Sequence, residues 1–193
     1  MLKRIAHLFA VISLLLTLTF SSHAKELAGV TVDDQIELSD GSQLVLNGMG
    51  LREKLWIDVY VGSLYLEKQA NNVAAVLAQP GAMRIQIDVV YKEMAQKKML
   101  QAWKAGFENN QSEKMMEVLH DRIETFYGFF TESAKKDDQY LIDYIPEQGT
   151  SISKNGQLLG SIEGADFKSA ILEIWLGNAP VDKQLKRGML GLE

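Results

Sequence analysis

Residues 44–67 constrain the fold more than any other stretch, because Leu55, Ile57, Val59 and Val61 there alternate with Lys54, Trp56, Asp58 and Tyr60. Successive side chains of a strand point to opposite faces, so this spacing predicts a long strand with one face in the core and the other in a different setting. Leu44, Val45 and Leu46 predict a strand before it. Gly48-Met49-Gly50 predicts the hairpin turn between the two, since glycine reaches positive φ without strain. A dinucleotide loop is strongly disfavoured: no third glycine falls at the required spacing, and a strand rather than a helix is expected to follow. The second face carries Trp56, Asp58 and Tyr60, and Arg52 leads into it. A guanidinium and a phenol directed into one cleft suit an anion attached to an apolar body.

The flanking segments extend this pattern. Val30-Thr31-Val32 and Gln35-Ile36-Glu37-Leu38 predict two short strands. Asn71 or Asn72 can cap a short helix holding Val73, Val76 and Leu77, which Pro80-Gly81 ends. Met83, Ile85, Ile87, Val89 and Tyr91 share one face of a further strand, with Tyr91 last, its ring buried and its hydroxyl free. From Glu93 the period becomes helical: Ala95, Met99, Ala102, Trp103 and Gly106 fall on one face. A second helix follows, with Asn110 and Glu113 as a capping box and Met116, Leu119, Ile123, Phe126, Tyr127 and Phe130 as a core stripe. Residues 134–138 read as a solvated turn. Strands resume at Tyr140, and Asn155-Gly156 between two of them is a strong hairpin signal. The chain closes with a helix capped by Asp166 and stopped at Gly177, then a short one carrying Val181, Leu185 and Met189.

The first 24 residues read as a secretory signal peptide. Lys3 and Arg4 precede an apolar run over residues 8–20, and Ser22-His23-Ala24 supplies small residues before a cleavage point at Lys25. The run is shorter than the roughly 20 residues a membrane-spanning helix needs, so no transmembrane anchor is expected after cleavage. The expected location is periplasmic or secreted, with residues 25–193 forming one domain. Without Lys3 and Arg4, 18 basic residues face 25 acidic ones, a formal charge of −7 that disfavours nucleic acid as a partner. The chain has no cysteine, which removes disulfides, thiolate nucleophiles and zinc–thiolate sites. His120 is the single histidine beyond the leader, so a histidine-rich metal site is excluded by counting, and the helical pattern around it predicts a surface or packing role. Neither a metal nor a cofactor is expected.

Gly48-Met49-Gly50-Leu51-Arg52 followed by Leu64-Tyr65-Leu66-Glu67 resembles the chalcone isomerase family, particularly its bacterial secreted chalcone isomerase-like branch. Tyr91 followed by Trp103-Lys104 resembles the segment from that family's active-site tyrosine to its Trp-Lys pair. The run from Phe167 to Gly177, and Ala179-Pro180-Val181-Asp182-Lys183 after it, resemble its C-terminal helix and continuation. The similarity covers most of the chain beyond the leader, in order.

The resemblance implies an α+β fold in which a large antiparallel sheet packs against a layer of helices and leaves a ligand cleft between them. It places Arg52 at the family's active-site arginine, Tyr91 at its active-site tyrosine and Tyr60 at the threonine of its long strand. Lys98 stands where the isomerases have an asparagine, and Ile174 where they have serine or threonine. Fatty-acid-binding relatives of this fold keep an arginine and a tyrosine that hold a carboxylate. The ligand-binding set implied is therefore Arg52, Tyr60, Tyr91 and Lys98. The leading expectation is non-catalytic binding of a small apolar or amphipathic ligand with a carboxylate or other polar head. The alternatives are an intramolecular lyase acting on a chalcone-like phenolic enone, with Arg52 and Tyr91 catalytic, and an interaction domain whose cleft is filled by side chains.

Overall fold

The computed structural model describes residues 24–192, so all but the last residue of the expected leader lies outside the described residues. The strands are β1 (Lys25–Leu27), β2 (Val30–Val32), β3 (Gln35–Glu37), β4 (Gln43–Lys54), β5 (Ile57–Leu66), β6 (Met83–Val89), β7 (Glu93–Met94), β8 (Ala134–Lys135), β9 (Gln139–Ile145), β10 (Gly149–Lys154) and β11 (Gln157–Ile162). The helices are α1 (Val73–Leu77), α2 (Gln96–Asn110), α3 (Glu113–Gly128), α4 (Ala165–Leu176) and α5 (Lys183–Met189). Seven strands form one antiparallel sheet in the order β11-β10-β9-β6-β5-β4-β3. Two-stranded pairs, β1 with β2 and β7 with β8, flank it.

The helices α2 and α4 pack together, and their inner faces meet the sheet in an aromatic core. Phe126 stands edge-on to Trp103 at 5.0 Å and to Phe107 at 5.8 Å, and Trp103 meets Trp175 at 5.6 Å. Edge-to-face rings align a positive rim with a negative face, which adds about 0.5–1.5 kcal/mol per pair beyond the burial itself. The stripe along α3 is thus core, and His120 lies exposed on that helix beside Asp121. Among the described residues no helix is long and apolar enough to cross a membrane.

The glycines of the organising stretch do something other than turn. β4 runs unbroken through Gly48-Met49-Gly50, and the chain reverses later, at Leu55-Trp56. A Cβ on Gly48 would collide with the carbonyl of Gly188 and come within 2.7 Å of the Gly191 nitrogen, and one on Gly50 would lie 2.9 Å from Leu185 Cα. The missing side chains let α5 lie directly on the β4 backbone. Asn47, at a register shift between Leu46 and Gly48, is buried and fixes that contact. It donates to Met189 O at 2.7 Å and exchanges hydrogen bonds with Ala70.

Four further expectations need correction. Tyr91 does not end the β6 face. That strand stops at Val89, and Tyr91 sits in the bend beyond, 38% exposed rather than ring-buried, with its N–H donating to Val59 O. Residues 134–138 are not wholly a solvated turn, because Ala134 is buried where β8 pairs with β7. Ser112, rather than Asn110, caps α3, while Asn110 ties the end of α2 to Ala179. Gly164 precedes α4, and Asp166 in its first turn pairs with Arg122.

Candidate functional site

Arg52 and Tyr60 are direct cross-strand partners on β4 and β5 and therefore share a face. Gly50 and Gly62, the next pair on that face, carry α5 there. The strip beyond α5 is left for the guanidinium. A register shift between Arg52 and Glu53 sets two β5 residues, Val59 and Tyr60, where regular pairing would set one, and both join the main core. The guanidinium carbon of Arg52 lies 5.6 Å from the centre of the Tyr60 ring, within cation–π range.

Tyr60 is buried, and its hydroxyl accepts a 2.9 Å hydrogen bond from Trp175 Nε1 on α4. Burial raises its ionisation above the ordinary phenol value, and the nearby Arg52 charge offsets only part of that. The group stays a neutral hydroxyl. It accepts from the indole, and no bond donated by its own proton is present among the described residues, so that proton can be offered to a ligand.

Between the β4–β5 end of the sheet and α2 lies an open cleft of about 710 Å³, within the range of small-molecule sites. Arg52, Tyr91 and Lys98 all line it. Its apolar wall comes from Val59 and Met94, from Ala102 and Ala105 on α2, and from Val181 in the segment before α5. Beneath it is a chamber of about 40 Å³, lined by Tyr60, Trp103, Ile174 and Trp175 among others. Arg52 lines both spaces and so stands at their junction. The chamber is small beside the cleft, and most of its wall is apolar, from Ile87, Val89, Met99, Phe130 and Ile174, with Arg52, Tyr60, Trp103 and Trp175 bringing N–H and O–H groups to it.

Two nitrogen donors on residues that line the chamber have no partner within the protein. Arg52 Nε and Trp103 Nε1 are both buried and unpaired. No carboxylate forms an ion pair with Arg52 among the described residues. Leaving a buried donor unmatched costs about 1–3 kcal/mol, and such groups are rare in native folds. Two of them on one small chamber, beneath an apolar cleft, are an arrangement that an acceptor oxygen would complete. Among the described residues no cluster of three His, Cys, Asp or Glu side chains is placed to hold a metal ion.

Comparison with family models matches residues 24–191 to a chalcone isomerase-like model. The chain belongs to the chalcone isomerase-like family. Among solved structures, a crystal structure of an Arabidopsis thaliana fatty-acid binding protein is similar, with a TM-score of 0.66 and 18% sequence identity, over 87% of this chain and 96% of that one. At that identity the likeness concerns the fold, which is α+β as the resemblance implied. Comparison with curated proteins gave no match.

Of the residues named from sequence, Arg52, Tyr91 and Lys98 line the outer cleft, with Tyr91 and Lys98 exposed at its rim. Tyr60 lies deeper and reaches the chamber that Arg52 shares. Trp103 and Trp175 line the chamber too, and the sequence did not single them out as site residues, although both fall in segments that carry the family resemblance. Ile174 is buried in the chamber wall, and its Cγ2 would stand 2.8 Å from a Cβ at Gly106, so it sets the spacing of α2 and α4. Ile174→Val should cost about 0.5–1.5 kcal/mol, read as a lower urea midpoint with unchanged slope. Because Ile174 is not part of the outer cleft's lining, the same variant should leave the affinity for an apolar acid within about twofold.

Proposed function

We propose that this domain binds an amphipathic monocarboxylate without altering it, and does so outside the cytoplasm after its leader is removed. Arg52 carries the reading: its guanidinium lines both the cleft and the smaller chamber that Tyr60 and Trp103 also line, with Nε buried and unpartnered. The carboxylate sits against Arg52, within reach of the Tyr60 hydroxyl and the Trp103 N–H, and the tail lies along Val59, Met94, Ala102 and Val181. The planar fork of arginine matches a carboxylate bidentately, and apolar walls supply the remaining affinity by removing the tail from water. The similar Arabidopsis structure is that of a fatty-acid binding protein, which supports this use of the fold.

Cyclisation of an enone would need polar groups positioned around a developing oxyanion and its target carbon. Ile174 supplies no polar atom where the isomerases have a hydroxyl, and Lys98 supplies an ammonium at the rim where they have an amide. The test is calorimetric titration of the purified domain with hexadecanoate, beside mass spectrometry of the organic extract and a chalcone absorbance assay. One acid bound per chain, with a flat absorbance trace, is the expected result. Rapid chalcone consumption that depends on Arg52 and Tyr91 would overturn the reading in favour of an isomerase.

A further inference from the structure

The β4–β5 turn is built from the wrong residues for its shape. Lys54 pairs with Ile57, leaving Leu55 and Trp56 as a two-residue turn with φ of 51° and 67°. Positive φ at both central positions calls for Asn-Gly or a similar pair, because a branched or bulky side chain is strained there. The chain's other two-residue hairpins with this shape both place glycine second, Ala28-Gly29 with φ of 50° and 78° and Asn155-Gly156 with φ of 50° and 80°. At the β4–β5 turn the fold instead holds a leucine and a tryptophan in the costly conformation and leaves them in water, 82% and 93% exposed, followed by Ile57 at 45%. Backbone strain combined with apolar exposure has no counterpart in stability. Strain of this kind persists where the residues serve something else.

The tip stands at the mouth of the ligand cleft. Leu55 and Ile57 line its edge together with Lys54, Tyr91 and Lys98, and the cleft as a whole carries three cations, Arg52, Lys54 and Lys98, against the single carboxylate of Glu93. Behind the tip, Glu53 and Asp58 face each other across the hairpin. A finger of three apolar residues backed by that pair of carboxylates can enter a low-polarity layer only to shallow depth. It is too small to seat a protein, since a stable protein interface takes roughly 800 Å² from each partner. A phospholipid surface demands less: an indole settles at the headgroup level, leucine and isoleucine reach the acyl boundary, and lysines beside them meet phosphates.

We propose that the Leu55–Trp56–Ile57 tip docks the cleft mouth onto a phospholipid bilayer, where an apolar acid can pass between the membrane and the cleft without crossing water. The docking rests on the tip alone, whereas the exchange of an acid rests on the function proposed above. The test uses the domain beginning at Lys25, which contains every element of the fold, and vesicles of phosphatidylethanolamine and phosphatidylglycerol at three to one. Wild-type protein is expected to float with the vesicles. Its tryptophan emission should shift to the blue and be quenched by brominated phosphatidylcholine, a signal from Trp56 because Trp103 and Trp175 are buried.

Trp56→Gly removes the indole and relieves the positive φ, so folding is not at risk, and Trp56 is not part of the cleft lining. That variant is expected to lose vesicle partitioning by about tenfold or more, the loss following from the apolar surface removed. Its hexadecanoate affinity in vesicle-free buffer should be unchanged, and Trp56→Phe should retain most of the flotation. Loss of hexadecanoate binding with flotation intact would defeat the ligand reading and leave the docking in place. Wild-type protein that stays at the bottom of the gradient, or Trp56→Gly that floats as well as wild type, would overturn the docking.

Discussion

Gly48→Ala is expected to cost about 3 kcal/mol or more of folding stability, at the upper end of what overpacking does, because one added methyl group meets backbone on every side. The collision is with the Gly188 carbonyl and the Gly191 nitrogen, neither of which can rotate away as a side-chain tip would. Relief requires α5 to lift from β4, and lifting it breaks the hydrogen bond from Asn47 to Met189 O that closes this corner of the protein. The chain supplies its own control. Gly128, the last residue of α3, has nothing within 4 Å of where its Cβ would stand, and Gly128→Ala should be neutral or stabilising by up to about 1 kcal/mol through helix propensity. Urea denaturation should therefore lower the midpoint for Gly48→Ala and leave it unchanged or raised for Gly128→Ala, at similar slope. A Gly48→Ala protein as stable as wild type would mean that α5 does not rest on β4 as described.

The glycines of β4 also mark the limit of what can be read from the chain. Alternation locates β5, the Asn155-Gly156 pair locates the β10–β11 turn, and helical spacing locates α2, α3 and α4, because each signal is local and its physics acts within a few residues. Gly48 and Gly50 mislead because a glycine needed for a tight turn and one needed for close approach are identical in sequence. What distinguishes them is α5, far along the chain at Lys183–Met189. The actual turn is invisible for the opposite reason: Leu55 and Trp56 carry no turn signal, and their alternation with Lys54 and Ile57 continues the strand pattern through the reversal.

For the site, residue types are legible and depth is not. The sequence pattern has Arg52 leading into the strand that carries Tyr60, whereas the two pair across neighbouring strands, beside a register shift that no residue announces. Tyr91 lies at the rim rather than inside, since β6 ends two residues early and leaves it in a bend. The contributions of Trp103 and Trp175 arise only when α2 and α4 close over the sheet, which brings one indole onto the Tyr60 hydroxyl and leaves the other unpaired above the chamber.

Arg52→Ala is expected to weaken hexadecanoate binding about tenfold to a hundredfold, the equivalent of losing a charge-assisted hydrogen bond worth roughly 1.5–3 kcal/mol. Arg52→Lys should recover only part of this. An ammonium keeps the charge but has no fork, and nothing in lysine replaces the Nε–H that stands unpaired at the junction. Folding stability should behave differently from affinity. In the unliganded protein Arg52 makes no ion pair among the described residues, and its contact with the Tyr60 ring is worth about 0.5–1 kcal/mol. Removing an unmatched buried donor gives back a comparable amount, so Arg52→Ala should unfold within about 1 kcal/mol of wild type. A residue kept for its ligand loses affinity without losing stability, as expected where function is retained at some cost to the fold. Calorimetric titration and urea denaturation on the same three proteins separate the cases. If Arg52→Ala loses several kcal/mol of stability and its acid affinity is unchanged, Arg52 is a structural arginine and the carboxylate site does not exist.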